Sequence, residues 1–96
     1  MRVHWLREAL TDLADIEDYI AQDNPTAASA LVDRVRDAAA QLANFPNLGR
    51  DGRVSGTYEL VVAGTQYIVV YRIGQNPLEV IILTVRHAAR RWPTHF

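Results

Sequence analysis

Residues 58–85 read YELVVAGTQYIVVYRIGQNPLEVIILTV. Three runs rich in Val, Ile and Tyr (Tyr58–Val62, Gln66–Ile73 and Leu78–Val85) are divided by two turn clusters, Ala63-Gly64-Thr65 and Gly74-Gln75-Asn76-Pro77. Branched and aromatic side chains fit a pleated surface, and strands joined by so few residues form an antiparallel meander. The middle run is apolar at both parities: Tyr67, Val69 and Tyr71 on one side, Ile68 and Val70 on the other. A strand with no polar face belongs inside a sheet, so this one is expected to be central.

Upstream the period changes from two to between three and four. Leu6, Leu10, Leu13, Ile16 and Ile20 mark one apolar stripe on a helix from about Leu6 to Gln22. Glu8 stands in its first turn, where the helix dipole favours an acid. Asp12, Asp15 and Asp18 are read as a solvated face. Asn24 suits an N-cap and Pro25 the first helical position, so a second helix starts there and runs to about Asn44. Its stripe is Ala28, Leu31, Val35, Ala38, Leu42 and Phe45. Two amphipathic helices separated by so short a turn pack as an antiparallel hairpin. Before them, Arg2 to Trp5 reads as a strand with Val3 and Trp5 on one side. After them, Phe45-Pro46-Asn47-Leu48-Gly49 is an exit turn and Arg50 to Gly56 a polar loop. The whole is one α+β domain over residues 1–96, ordered β-α-α-β-β-β. The N-terminal strand and helix hairpin pack on one face of an antiparallel sheet.

Bulk properties narrow the function classes. The chain has 96 residues, 49% of them hydrophobic, and no cysteine, which excludes disulfides and thiolate metal sites. No apolar run approaches the roughly 20 residues of a membrane span. The expected location is the cytoplasm. The net charge of −1 hides an asymmetry: residues 1–48 hold four Arg against eight acids, and residues 49–96 six Arg against three. Every basic residue is Arg, the side chain that forks onto carboxylates and phosphates. The last stretch, Arg86 to Phe96, has three Arg, two His, a Trp and no acid. An anionic partner is therefore expected at Arg86, His87, Arg90, Arg91 and Trp92. The plainer readings are that His87 caps a strand end, that the Arg are a solvated tail, and that Trp92 folds back onto the core edge. Arg72, next to Tyr71, either faces the open side of the sheet or pairs with Glu59 or Glu79 across strands. Tyr67, Tyr71 and Trp5 are read as core. The three His have no metal-ligand spacing, and the glycines at 49, 52 and 56 make no phosphate loop.

Several of these stretches together resemble the ParE/RelE toxin superfamily over nearly the whole chain. They are Asn44-Phe45-Pro46-Asn47-Leu48-Gly49-Arg50, Tyr58-Glu59-Leu60-Val61-Val62, Tyr67-Ile68-Val69-Val70-Tyr71-Arg72 and Val85-Arg86-His87-Ala88-Ala89-Arg90-Arg91-Trp92-Pro93. Leu6-Arg7 departs from the pattern, where relatives often carry a Ser-Pro cap. The resemblance implies a small cognate antitoxin whose C-terminal segment folds around the helices and sheet, giving a hetero-oligomer with no cofactor. It implies one of two activities: poisoning of DNA gyrase, as in ParE-like members, or cleavage of messenger RNA on the ribosome, as in RelE-like members. Such nucleases need cations and a general base or acid close together. Here Ile68 stands where they usually carry Arg, no Lys is present, and Thr94 falls where a Tyr is often found. What remains is His87 as a base and Arg90 as a phosphate clamp, with Arg72 nearby. A pI near 6.3 also sits poorly with a ribosome-bound enzyme. The expectation is a ParE-like gyrase poison; the alternatives are an mRNA nuclease and a non-toxic binding module. Convergence of Arg72, His87 and Arg90 on the open sheet face would favour the nuclease, and dispersal would count against it.

Overall fold

A computed structural model describes residues 1–96. It contains β1 (Arg2–Trp5), α1 (Arg7–Ala21), α2 (Pro25–Gln41), β2 (Arg50–Asp51), β3 (Tyr58–Val61), β4 (Tyr67–Gly74) and β5 (Glu79–His87). The five strands form one sheet in the order β1-β5-β4-β3-β2. β2 to β5 are antiparallel, as the tight turns require, while β1 joins β5 in parallel. The α+β class and the order β-α-α-β-β-β are as expected, and β4 is central. The polar loop expected at Arg50–Gly56 is in part a strand: Arg50 and Asp51 pair with Glu59 and Tyr58. Two residues carry no readable period, so only the register reveals them.

The helix hairpin covers one sheet face. Its core joins Ala9, Leu13, Leu31, Val35, Ala39 and Leu42 to Val62, Val69, Tyr71, Val80, Ile82 and Val85. The α1 stripe is therefore rotated from the expected one. Ala9 and Leu13 are buried, Ile16 and Ile20 half-buried, and Leu10 is exposed. A small Ala at the contact lets α1 lie close on β5, and Leu10, one position round, is carried outward. On α2 it is Ala39 that is buried, with Ala38 only partly so. The helix stops at Gln41 rather than Asn44, and Phe45 points to solvent at 62% exposure.

Local chemistry fixes the helix ends. Asn24 accepts from the Ala27 amide at 3.0 Å, and Pro25 begins the helix as expected. Leu6, the α1 cap position, offers no side-chain bond. Its own amide donates to Ile82 O at 3.0 Å, so sheet pairing holds the start of the helix. The exit turn is tied down by Tyr71, fully buried, whose hydroxyl donates to Pro46 O at 2.7 Å and accepts from Gly49 N at 2.9 Å. A side chain at Gly49 would come within 2.6 Å of that hydroxyl, so the approach requires glycine.

The second sheet face carries a smaller cluster: Ile68, Val70, Ile81 and Leu83, covered by Leu6 and Trp92. No helix lies over it. No helix in the chain is long and apolar enough to cross a membrane.

Candidate functional site

The C-terminal end of β5 decides where the candidate residues go. β5 extends through Arg86 and His87, which pair with Ile68 and Tyr67, so these two belong to the sheet and not to the tail. The pairing slips once. Val70 faces Thr84 but Tyr71 faces Ile82, which leaves Leu83 as an extra residue on β5. Such a bulge reverses the parity of everything beyond it. Val80 and Ile82 lie on the helix side before it, and Val85 lies there after it. His87 follows Val85, and its ring meets that of Tyr67 edge-on at 5.3 Å. Without the bulge, His87 would share the face of Ile81 and Leu83.

Arg72 lies on that other face, since it alternates with Val70 and Ile68. It is five residues from Tyr67, the partner of His87, on the order of 16 Å along an extended strand. Arg72 is exposed and joins no ion pair. Neither Glu59 nor Glu79 takes it. Glu59 is buried and engaged elsewhere: Arg50 Nη2 lies 3.1 Å from Oε1, Arg53 Nε 3.4 Å from Oε2, and the Arg53 amide donates to Oε2 at 2.7 Å. The structure therefore brings His87 and Arg90 together and leaves Arg72 on the opposite side of the sheet.

His87 has both ring nitrogens in use. Nδ1 accepts from the Ala89 amide at 3.1 Å, so it carries no proton. The proton is then on Nε2, which donates to Gln66 Oε1 at 2.7 Å. An imidazole bonded in this way has no lone pair free to act as a base. It ties the β5 end to the start of β4, assisted by the Ala88 amide on Gln66 O at 2.8 Å.

Trp92 folds back. Its Nε1 donates to His87 O at 3.1 Å, and its ring helps to cover the second apolar cluster. The Arg53 guanidinium sits 3.6 Å from the ring centroid. A chain of contacts thus runs from buried Glu59 through Arg53 to Trp92, and it holds the tail across the sheet. The sequence gives no sign of it, because Arg53 sits in an irregular segment and Glu59 in a strand position that ordinarily faces water.

Arg86, Arg90 and Arg91 line a cleft of about 300 Å³ between α1 and the end of β5. Asp12 and Asp15, read from sequence as solvated, line the same cleft, and Asp12 accepts from the buried Thr84 hydroxyl. Tyr19 also borders it, with the Arg90 guanidinium 6.0 Å from its ring centroid.

The fold is that of toxins from type II toxin–antitoxin systems. The chain superimposes on one from the chromosomal ParDE system of P. aeruginosa with a TM-score of 0.78 at 24% identity, covering 91% of this chain and 95% of that one. It also matches the RelBE2 toxin–antitoxin complex of Mycobacterium tuberculosis with a TM-score of 0.61 at 28% identity, covering 90% and 95%. Residues 3–92 match the family described as the ParE toxin of the type II toxin–antitoxin system parDE, and the chain belongs to that family. Two sequence relatives agree. One, named "Putative toxin Y4kP", from Sinorhizobium fredii, is 45% identical over 96% of this chain and 93% of its own length. The other, toxin RelE2 of Caulobacter vibrioides, is 35% identical over 93% and 97%.

Proposed function

We propose that this toxin acts by binding and not by hydrolysis, that its target is DNA gyrase, and that a small antitoxin encoded beside it holds it inactive in the cytoplasm. The observation that carries the first part is the bonding of His87. The one side chain suited to general-base work has Nδ1 occupied by an amide and Nε2 by Gln66. Three further facts support it. Arg72 is on the other sheet face. Asp12 and Asp15 stand beside Arg90, where they repel a phosphate. Ile68 and the absence of Lys remove the cations that such a nuclease would use. The antitoxin is supported by the ParDE and RelBE2 structures, which come from two-component systems.

The kinship with a protein named RelE2 favours a second reading, ribosomal mRNA cleavage. One experiment separates them. The chain is induced without antitoxin, and DNA and protein synthesis are followed by pulse labelling. A poison stops DNA synthesis first and raises the DNA-damage response; a nuclease stops protein synthesis first, with messages cut at occupied codons. His87→Gln sharpens the result. Loss of a general base lowers the rate by about 10²–10⁴-fold, whereas a poison with this substitution still arrests growth.

A further inference from the structure

The charge asymmetry of the sequence becomes an asymmetry in space. On β1, Val3 and Trp5 pack on the helix side, so Arg2 and His4 turn to the open sheet face. Arg72 alternates with Tyr71, Arg86 pairs with Ile68, and Arg50 pairs with Glu59, which places all three on that same face. Arg53 lies there too, against Trp92 and Glu59. The acids of this face are Glu59, engaged by Arg50 and Arg53, and Glu79, in register with Arg2. Five Arg against two acids leave a surplus of three positive charges, before His4 is counted. The other five Arg (7, 34, 36, 90 and 91) stand against nine acids, eight of them in or between the two helices, a deficit of four. The net charge of −1 therefore conceals a molecule that is positive on its open face and negative over its helix layer. Arg2, His4 and Arg72 are exposed and join no ion pair and no side-chain hydrogen bond. The register sets His4 and Arg72 on either side of Ile81, about 10 Å apart at two strand spacings, with Arg2 about 7 Å from His4 along β1.

We propose that the open sheet face binds the backbone of duplex DNA through Arg2, His4 and Arg72. Cations set apart on a sheet surface suit a row of phosphates; one small anion would need them to converge. A polyanion is attracted to this face and repelled by the helix layer, so the charge separation also fixes which side approaches. A single strand is held by bases stacked on free rings, but the indole of Trp92 lies between the apolar cluster and the Arg53 guanidinium. An acidic polypeptide gains from an apolar recess beside the cations, and the apolar residues of this face are buried under Leu6 and Trp92. Arg86, half-buried beside the Phe96 ring, adds its charge rather than a contact. The inference goes beyond the gyrase reading and stands apart from it. A gyrase poison can work through protein contacts alone, and a DNA-binding face can serve another target.

The test is fluorescence anisotropy of a labelled mixed-sequence DNA duplex titrated with the full-length chain. Gyrase is left out, so a failure here does not touch the gyrase reading. Three phosphate contacts release their counterions on binding, so affinity should fall roughly fortyfold between 50 and 200 mM salt. Arg72→Gln should weaken binding about fivefold and lower the logarithmic salt slope by about one. Glu79→Gln removes the acid beside Arg2 and should tighten binding about twofold to threefold. Arg36→Gln, at an exposed position on α2, should change neither affinity nor slope. Circular dichroism checks that each variant is folded. The proposal is overturned if no saturable binding is seen at the lower salt, if Arg72→Gln binds as the natural chain does, or if Arg36→Gln weakens binding as much. It is also overturned if a single strand of the same length binds more tightly, or if a glutamate-rich peptide displaces the duplex at equal charge. Those two results would point to stacked bases and to an acidic protein, respectively.

Discussion

The two faces of the sheet are closed in different ways. On one, two helices supply Ala9, Leu13, Leu31, Val35, Ala39 and Leu42 against six buried sheet residues. On the other, four buried side chains are covered by Leu6 and one indole, and the indole is held by an arginine that a buried glutamate holds in turn. The first face is continuous apolar packing and does not depend on the state of any charge. The second depends on a relay of polar contacts through irregular chain. A toxin has to fold reliably and also to present a surface that a partner or target can engage. The helix face meets the first need, and the cleft at its edge, between α1 and the end of β5, keeps Arg90 and Arg91 accessible.

The largest effect that would break this comparison lies on the helix side. Leu42 is fully buried at the end of α2, and Leu42→Ala should destabilise the chain by about 2–5 kcal/mol through lost transfer energy and the cavity left behind. Against a total of about 5–15 kcal/mol, that is a large share. Chemical denaturation of the two forms measures it. Should the leucine prove nearly neutral, the helix layer would not be the main source of stability.

Glu59→Ala should lose less, about 1–3 kcal/mol. It removes the acceptor for the Arg53 amide, while Arg50 and Arg53 remain partly solvated and carry no buried orphan charge. Trp92→Ala should lose about 1–2 kcal/mol, because the indole is only half-buried. The two tail-side changes share one relay, so the double variant should fall short of their sum. Additive losses would show that Arg53 does not couple Glu59 to Trp92. Both should increase binding of a hydrophobic dye to the uncovered Ile68, Val70, Ile81 and Leu83, which Leu42→Ala should do only once the chain unfolds.

The same division governs what could be read in advance. The helix hairpin, the meander and the two-sided apolar β4 follow from periods of 3.6 and 2, because burial over many residues leaves a pattern. Asn24 and Pro25 announce a helix start by their own chemistry. The separation of Arg72 from His87 was not legible. In an unbroken β5, Ile81, Leu83, Val85 and His87 share one face, and that face is the one with Arg72. One extra residue at Leu83 reverses the outcome, and a bulge at the end of the four consecutive apolar residues Val80–Leu83 leaves no mark on the pattern. Glu59 was hidden for a related reason: its burial is produced by Arg50 and Arg53, from a segment whose only regular structure is a two-residue strand. Asp12 looked solvated because its partner Thr84 is 72 positions away.

The smallest effect concerns Tyr71, which links the helix face to the exit turn. Tyr71→Phe leaves the Gly49 amide and the Pro46 carbonyl without their partner, at about 1–2 kcal/mol near neutral pH. Its pH dependence is the sharper test. Burial raises the Tyr71 pKa above the ordinary value; the Gly49 bond pulls it back, and nearby Tyr58 adds to the rise. A folded-state pKa above the unfolded one means that the unfolded chain releases the proton first. The stability from the neutral hydroxyl is therefore complete below about pH 10 and is lost as pH climbs towards the raised folded value. The gap in stability between the natural chain and Tyr71→Phe should thus be constant through neutral pH and narrow above about 10, in a window where no lysine titrates. Narrowing that begins well below that window would mean that Tyr71 ionises more easily than its burial allows. The hydroxyl would then not hold the exit turn as the geometry places it.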